Sequence, residues 1–243
     1  MPKIYLSPST QEGNFYVTGG SEEYHMNQLA DALEPYLRAN AIGFTRNNPQ
    51  QSVVSIIRDA NAEDYALHLA LHSNAAPEYG TVRGVDIFYF PDSYSGQRAA
   101  NIAVEHFKEI YPLPDKVRAV PTTRLGEVDK VKAPALFMEI GYHDNEQDAN
   151  WVTENLDAIA KTIAQILAEY FGQPFVDPIA PQRATVSTTG SNLNMRTRPN
   201  TTAAVIGRIP NGAVVTVYGL LPEWASISYN NKSGFVNRDY LNI

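Results

Sequence analysis

The residue best placed to do chemistry is a histidine at the end of an apolar run, Ala66-Leu-His-Leu-Ala-Leu-His-Ser-Asn-Ala75. A short apolar run closed by small polar residues reads as a buried strand, and its last side chain, His72, emerges at the carboxyl edge of the sheet, where open α/β folds hold their ligands. Glu139 is the second such residue, the single ionisable group in Ala133-Pro-Ala-Leu-Phe-Met-Glu-Ile-Gly141. Burial disfavours a carboxylate unless it is paired, ligated or used. Glu23 is the third, in the first turn of a helix opened by Ser21. Each has a structural reading as well: His72 as a satisfied core histidine, Glu139 as a strand-end carboxylate paired with arginine, Glu23 as a complement to the helix dipole. Together, at strand ends, they are the residue types a zinc hydrolase draws on, which needs three protein ligands and a separate carboxylate as general base.

The elements that must position them follow from periodicity. Lys3–Leu6 reads as a first strand, followed by a polar loop from Ser7 to Asn14. A helix after Ser21 carries Met26, Leu29, Ala30, Leu33 and Leu37 at helical spacing. Then come a strand over 41–46, a helix over 51–61, the central strand over 65–71, a strand over 84–90 and a helix over 96–111. A loop-rich stretch over 113–131, with a short strand near Val117, leads to the strand around Glu139 and a long amphipathic helix over 149–171. Alternating strands and helices predict an α/β domain with a mainly parallel sheet and helices on both faces. Residues 173–182, with Pro174, Pro178 and Pro181, read as a semi-rigid linker. Beyond it, short β-runs about ten residues apart predict a small all-β barrel. The domains are thus expected at 1–172 and 183–243.

Composition narrows the chemistry. With 243 residues, 44% hydrophobic and 19% charged, the chain can bury a core, and with no cysteine a metal must be held by His, Asp or Glu. No apolar run is long enough to span a bilayer, and Met-Pro-Lys leads straight into the first strand rather than into a signal segment. The net charge of −7 divides into +4 from Arg183 onward and −11 before it, which points to different partners for the two parts. Neither pattern calls for nucleic acid or membrane insertion.

Glu23 with Met26 and Asn27, the strand end Leu71-His-Ser-Asn-Ala75, and Pro134-Ala-Leu-Phe-Met-Glu-Ile-Gly-Tyr-His-Asp-Asn145 together resemble the zinc-dependent N-acetylmuramoyl-L-alanine amidases of family 3. The resemblance covers residues 3 to 171. It implies Zn2+ as cofactor, Glu23 and His72 as ligands, Glu139 as catalytic base, and cleavage of the amide between the muramic acid lactyl group and the first alanine of the peptidoglycan stem peptide. The chain departs from the family at the first motif, where Asp-Pro-Gly-His-Gly is usual and Ser7-Pro-Ser-Thr-Gln-Glu12 stands here. His143 is the preferred substitute ligand and Glu12 the second. His68, four residues back along the strand from His72, is too far to share its ion. Asn74 and Asn145 are candidate substrate-positioning groups.

Leu193-Asn-Met-Arg-Thr-Arg-Pro-Asn, Gly212-Ala-Val-Val-Thr-Val, Trp224 and Ser233-Gly-Phe-Val-Asn-Arg-Asp-Tyr-Leu241 resemble a bacterial SH3-like (SH3b) domain, which implies tethering to the cell wall. Trp224 and Tyr229 serve either a ligand or the barrel core. The expectation is a peptidoglycan hydrolase acting at the cell wall, either a phage lysin released through a separate pore or a bacterial autolysin whose signal has been removed. The competing reading is a non-catalytic wall-binding protein with a degenerate amidase fold; a third keeps the zinc hydrolase and changes its substrate to another peptide-like amide.

Overall fold

The computed structural model describes residues 1–243. Its first sheet has six strands: β1 (Lys3–Pro8), β2 (Gly43–Arg46), β3 (Leu67–Asn74), β4 (Val85–Tyr89), β5 (Val117–Pro121) and β6 (Ala135–Tyr142), in the order β2-β1-β3-β6-β4-β5. β1 with β3, β3 with β6, and β4 with β5 are parallel, while β4 runs antiparallel to β6. The sheet is therefore mixed at one junction. β3 and β6 are its central pair and are buried along nearly their whole length, which is why both read as continuous apolar runs.

The helices are α1 (Glu22–Ala39), α2 (Val53–Ala60), α3 (Tyr94–Ile110), α4 (Gly126–Asp129), α5 (Glu146–Glu154) and α6 (Leu156–Phe171). Ser52 and Ser93 cap α2 and α3 by accepting from the third helical N–H, the hydrogen bond that makes serine favourable there. One expectation is corrected. The long helix over 149–171 is two helices, broken at Asn155, whose side chain bonds back to the Trp151 carbonyl. The short strand expected near Val117 is β5, and the rest of the stretch 113–131 adds the one-turn α4.

The second sheet has seven strands: β7 (Pro178–Val186), β8 (Leu193–Arg196), β9 (Val205–Ile209), β10 (Val214–Leu220), β11 (Trp224–Tyr229), β12 (Lys232–Asn237) and β13 (Leu241–Asn242), in the order β13-β7-β10-β11-β12-β8-β9. The stretch expected as a linker is half strand: Pro178 and Gln182 pair with Gly219 and Val217 of β10. Pro181 falls where the register between β7 and β10 is interrupted, between Pro178 and Gln182, and β13 pairs with β7 only at Thr185 and Val186, so a bulge and an open edge accommodate the prolines. Val186, Leu193, Met195, Ile209, Val215, Val217, Ile227 and Val236 fill this unit's core.

The chain divides into two compact units, one of residues 3–33 and 44–170, the other of residues 1–2, 34–43 and 171–243. Residues 34–43 thus cluster with the C-terminal unit, where Ala39 and Ala41 pack with Val176, Trp224 and Phe235. Trp224 is core there. No helix is long and apolar enough to cross a membrane.

Candidate functional site

β3 and β6 set the site. His72 and Glu139 are register partners on these neighbouring strands, and the His72 ring stacks on Phe137, two residues before Glu139, with centroids 4.4 Å apart. Beyond this pair the register slips, Asn74 pairing with Tyr142, so that β6 carries an extra residue. Gly141 takes it up with φ +74°, a left-handed conformation that L side chains rarely adopt.

The helix carboxylate that meets His72 is Glu22, one residue before the expected Glu23. Glu22 is fully buried, and its Oε1 accepts a 2.8 Å hydrogen bond from His72 Nδ1. Glu23 lies 3.5 Å from Asn27 Nδ2 through its Oε1 and does not reach His72. One residue turns a helix by about 100°, which separates the two carboxylates.

On the other side of the imidazole stands Glu127 of α4, which the sequence reading missed. Its Oε2 accepts from Ser7 Oγ at 2.6 Å and pairs with His68 Nε2 at 2.8 Å, while its Oε1 faces His72 Nε2 at 3.7 Å. His68 and His72 therefore share a carboxylate despite their separation along the strand. Nothing in Arg124-Leu-Gly-Glu-Val-Asp129 distinguishes Glu127 from a solvated acid; only the fold brings it to the strand.

Electrostatics follow from this enclosure. Burial works against a charged His72, but Glu127 and Glu22 outweigh it and raise the imidazole pKa from 6.5 to about 10. Burial likewise opposes ionisation of Glu22 and Glu127, and the histidines overcome it, holding both carboxyls below their usual range. Glu139 has no such compensation. Its burial, against the opposing pull of His72 and with Glu22 and Asp86 adding repulsion, pushes it up to about 8. Its Oε2 is sealed from solvent and has no hydrogen-bond partner.

The remaining expected residues lie elsewhere. His143 is buried, but its Nδ1 is held by the Ser73 carbonyl and hydroxyl at 3.0 and 3.1 Å. Glu12 is exposed on the loop after β1. The group from that loop that does reach the site is Gln11, whose Nε2 lies 3.4 Å from His72 Nδ1. Asn145 caps α5 with its oxygen and donates its amide to the Gly80 carbonyl, a structural role that occupies both ends. Asn74 accepts from Ala75 N through its oxygen, at the half-buried edge of β3.

The residues present do not fit the zinc that the family resemblance implies. A catalytic zinc takes three protein ligands. No group of three His, Asp or Glu side chains has the arrangement to hold a metal ion. Glu22 and His72 converge, but the expected third ligands, His143 and Glu12, do not join them. What the cluster offers chemically is a positively charged imidazole clamped between carboxylates, next to a carboxyl group that stays protonated well above its usual range.

A family model described as N-acetylmuramoyl-L-alanine amidase matches residues 8–169, and one described as bacterial SH3 domain matches residues 191–242. Among solved structures, the chain is similar to N-acetylmuramoyl-L-alanine amidase AmiC2 of Nostoc punctiforme (TM-score 0.62, 16% identity, 71% of this chain and 98% of that one). It is also similar to the catalytic domain of CwlV, N-acetylmuramoyl-L-alanine amidase from Bacillus (Paenibacillus) polymyxa var. colistinus (TM-score 0.60, 16% identity, 71% and 99%). At these identities the likeness is one of fold. Among curated proteins, a stretch of 57 residues is 37% identical to the putative N-acetylmuramoyl-L-alanine amidase YrvJ of Bacillus subtilis (strain 168), covering 24% of this chain and 11% of that protein.

Proposed function

Because this chain belongs to the N-acetylmuramoyl-L-alanine amidase family and carries a bacterial SH3 domain, we propose that it is a peptidoglycan amidase. It hydrolyses the amide between the lactyl group of N-acetylmuramic acid and L-alanine, acting at the cell wall as a lysin or autolysin does. The observation that best supports this reading is Glu139: a carboxyl group with a raised pKa and an unpartnered oxygen, beside a charged imidazole at the carboxyl edge of the sheet. A sealed polar atom without a partner is costly, and a reacting group is one reason to keep it.

The roles follow from position. Glu139, when ionised, takes a proton from water as the water oxygen bonds to the lactyl carbonyl carbon, and returns it to the departing alanine nitrogen as the C–N bond breaks. The products are a lactyl carboxylate and a free alanine amino terminus. The Nε2–H of His72 donates to the carbonyl oxygen as negative charge develops on it, and Glu22 and Glu127 hold the ring for this. Asn74 is a positioning group for the substrate. The SH3 unit keeps the enzyme on an insoluble substrate, which raises the effective concentration of scissile bonds without a new catalytic contact.

Gln11 in the loop where the family usually presents a histidine favours a second reading, a wall-binding protein that does not cleave. One experiment separates the two. The full chain and Glu139→Gln are incubated with purified peptidoglycan; new alanine amino termini are counted, and protein sedimenting with the wall is measured. New termini from the parent only, with both proteins sedimenting, establish the amidase. Sedimentation with no new termini from the parent establishes the binding protein.

A further inference from the structure

We propose that a cleft in the C-terminal unit, between β8 and the turn Arg238–Tyr240, is a carboxylate-binding site built on Arg196, and that it takes the free carboxyl end of a cell-wall stem peptide. The sequence of β8, Leu193-Asn-Met-Arg196, alternates: Leu193 and Met195 are buried in the unit's core, which leaves Asn194 and Arg196 on the outer face. The cleft on that face measures about 350 Å3, at the small end of the range for ligand pockets. Thr188, Asn194, Arg196, Thr201, Asn237 and Tyr240 are among the residues that line it, and no aspartate or glutamate does.

Arg196 is half-buried and has no carboxylate paired with it. Its Nη1 donates to the Ala203 carbonyl at 2.7 Å, which holds the guanidinium in place, and its other side-chain N–H groups have no partner in the protein. Withdrawing an unpaired charge from water is costly, and an anion arriving in the cleft offsets that cost. The neighbours are donors as well. Asn237 accepts the Asp239 N–H at 2.8 Å through its oxygen, which leaves its NH2 group to donate, and neither the Asn194 amide nor the Tyr240 hydroxyl is committed to a partner. A guanidinium fork matches a carboxylate with two parallel hydrogen bonds. It matches a phosphate too, but Arg196 is the one cation lining the cleft. That suffices for a single terminal carboxylate, whereas a wall polymer with a phosphate on every repeat calls for a row of cations.

The cleft gives a place to the tethering contact that the proposed reading assigns to the SH3 unit, and it rests on that reading only for the wall as the source of the carboxylate; the site itself is tested with soluble probes. The full-length parent, Asn194→Asp and Arg196→Gln are titrated with N-acetyl-D-alanyl-D-alanine, with the same peptide closed as a C-terminal amide, and with glycerol 3-phosphate, while backbone amide resonances are followed by NMR. Arg196→Gln also gives up the bond to Ala203. Asn194→Asp keeps the side-chain shape, breaks no bond that holds the fold and sets a carboxylate beside Arg196, and a melting temperature near the parent's checks that it folds. The parent is expected to bind the peptide acid with shifts centred on β8 and on Asn237 to Tyr240, about 10-fold more tightly than the amide, as a charge-assisted hydrogen bond allows. Both variants are expected to lose that preference. A parent that does not bind the acid, or binds acid and amide alike, overturns the proposal, and so does a folded Asn194→Asp with parental affinity. Glycerol 3-phosphate bound in the cleft more tightly than the peptide acid also overturns it, in favour of a phosphate-bearing wall polymer. Sedimentation with purified peptidoglycan is measured alongside: a parent that binds the peptide acid in the cleft yet does not sediment refutes the tethering reading alone.

Discussion

Glu22 Oε1 lies 2.8 Å from His72 Nδ1, with the carboxylate fully buried and the imidazole 6% exposed. Truncating one partner of such a pair leaves the other charge in the interior with its desolvation uncompensated, a loss of about 3–5 kcal/mol. Glu22→Ala is therefore expected to lower the unfolding free energy by that amount, while Glu23→Ala, one residue on, changes it by about 0.5 kcal/mol or less. Urea unfolding of the two variants distinguishes them, and equal losses would show that Glu23 shares the site.

Glu139 ties stability to pH. Its folded pKa of about 8 exceeds its ordinary 4.5, so between these values the folded protein keeps a proton that the unfolded chain has released. The contribution is fully present below pH 4.5 and falls as pH rises to about 8, by about 1.4 kcal/mol per pH unit. His72 adds a decline of the same sign from 6.5 to about 10; Glu127 and Glu22 cause most of it in both proteins, and the smaller part that comes from the Glu139 charge is lost in Glu139→Gln, which adds to the difference in the same direction. The difference in unfolding free energy between those two proteins, measured from pH 4 to 9, is expected to turn steadily in favour of the variant as pH rises. A flat difference would mean that Glu139 is ionised throughout.

The same group sets the pH dependence of amide cleavage. As the base it must be ionised, so the release of alanine termini is expected to rise with pH through a midpoint near 8, and Glu139→Gln is expected to lose it at every pH while still sedimenting with peptidoglycan. A rate already at its plateau by pH 6 would assign the base elsewhere.

How far the site was legible depended on which interactions are local. His72 and Glu139 stood out because an ionisable residue in an apolar strand is conspicuous, and pairing two buried strands side by side was enough to bring them together. The helix carboxylate was ambiguous by one position: Glu22 lies four, seven and eleven residues before Met26, Leu29 and Leu33, while Glu23 lies three and seven before Met26 and Ala30, so both border the buried stripe. Only the approach of β3 decides for Glu22. Glu127 and Gln11 were hidden because each sits in a polar segment whose course is set by long-range contacts; Glu127 is 120 residues from Ser7, which it binds. The barrel strands were legible from alternation and turn residues, except β7, where the prolines read as a break and the strand accommodates them at the interruption of its register with β10.

Glu127 joins Ser7, His68 and His72 and is expected to be sensitive to truncation. Glu127→Ala removes the acceptor from Ser7 Oγ and His68 Nε2 and the charge facing His72 Nε2. The expected cost is about 3–5 kcal/mol, the penalty for breaking a buried ionic cluster from one side. Glu127→Gln keeps the shape and one acceptor oxygen and is expected to recover part of the stability. If the carboxylate holds the His72 ring, that variant also lowers the turnover of amide cleavage more than it weakens binding to peptidoglycan. Chemical denaturation gives the first comparison and the split between kcat and KM the second; a variant with parental turnover would leave Glu127 a purely structural acid.

Gly234 on β12 tests whether the second sheet is packed as described. A Cβ built there meets Met195 Cγ at 2.6 Å, the Arg196 carbonyl at 3.1 Å and Ile206 Cδ1 at 3.1 Å. The Met195 side chain can shift, but the Arg196 carbonyl belongs to β8, whose only register partner on β12, Phe235, pairs with Arg196. Added volume therefore presses on the single seam joining β8 and β9 to the rest of the sheet. Gly234→Ala is expected to cost about 1–3 kcal/mol, the usual range for overpacking a filled core. The loss should fall on the unit containing residues 171–243, lowering its unfolding transition and weakening sedimentation with peptidoglycan while the stability of the unit containing His72 is kept. Hydrogen exchange followed along the chain reads the two separately, and unchanged protection in β8 and β9 would count against the close approach of Met195 and Arg196 to Gly234.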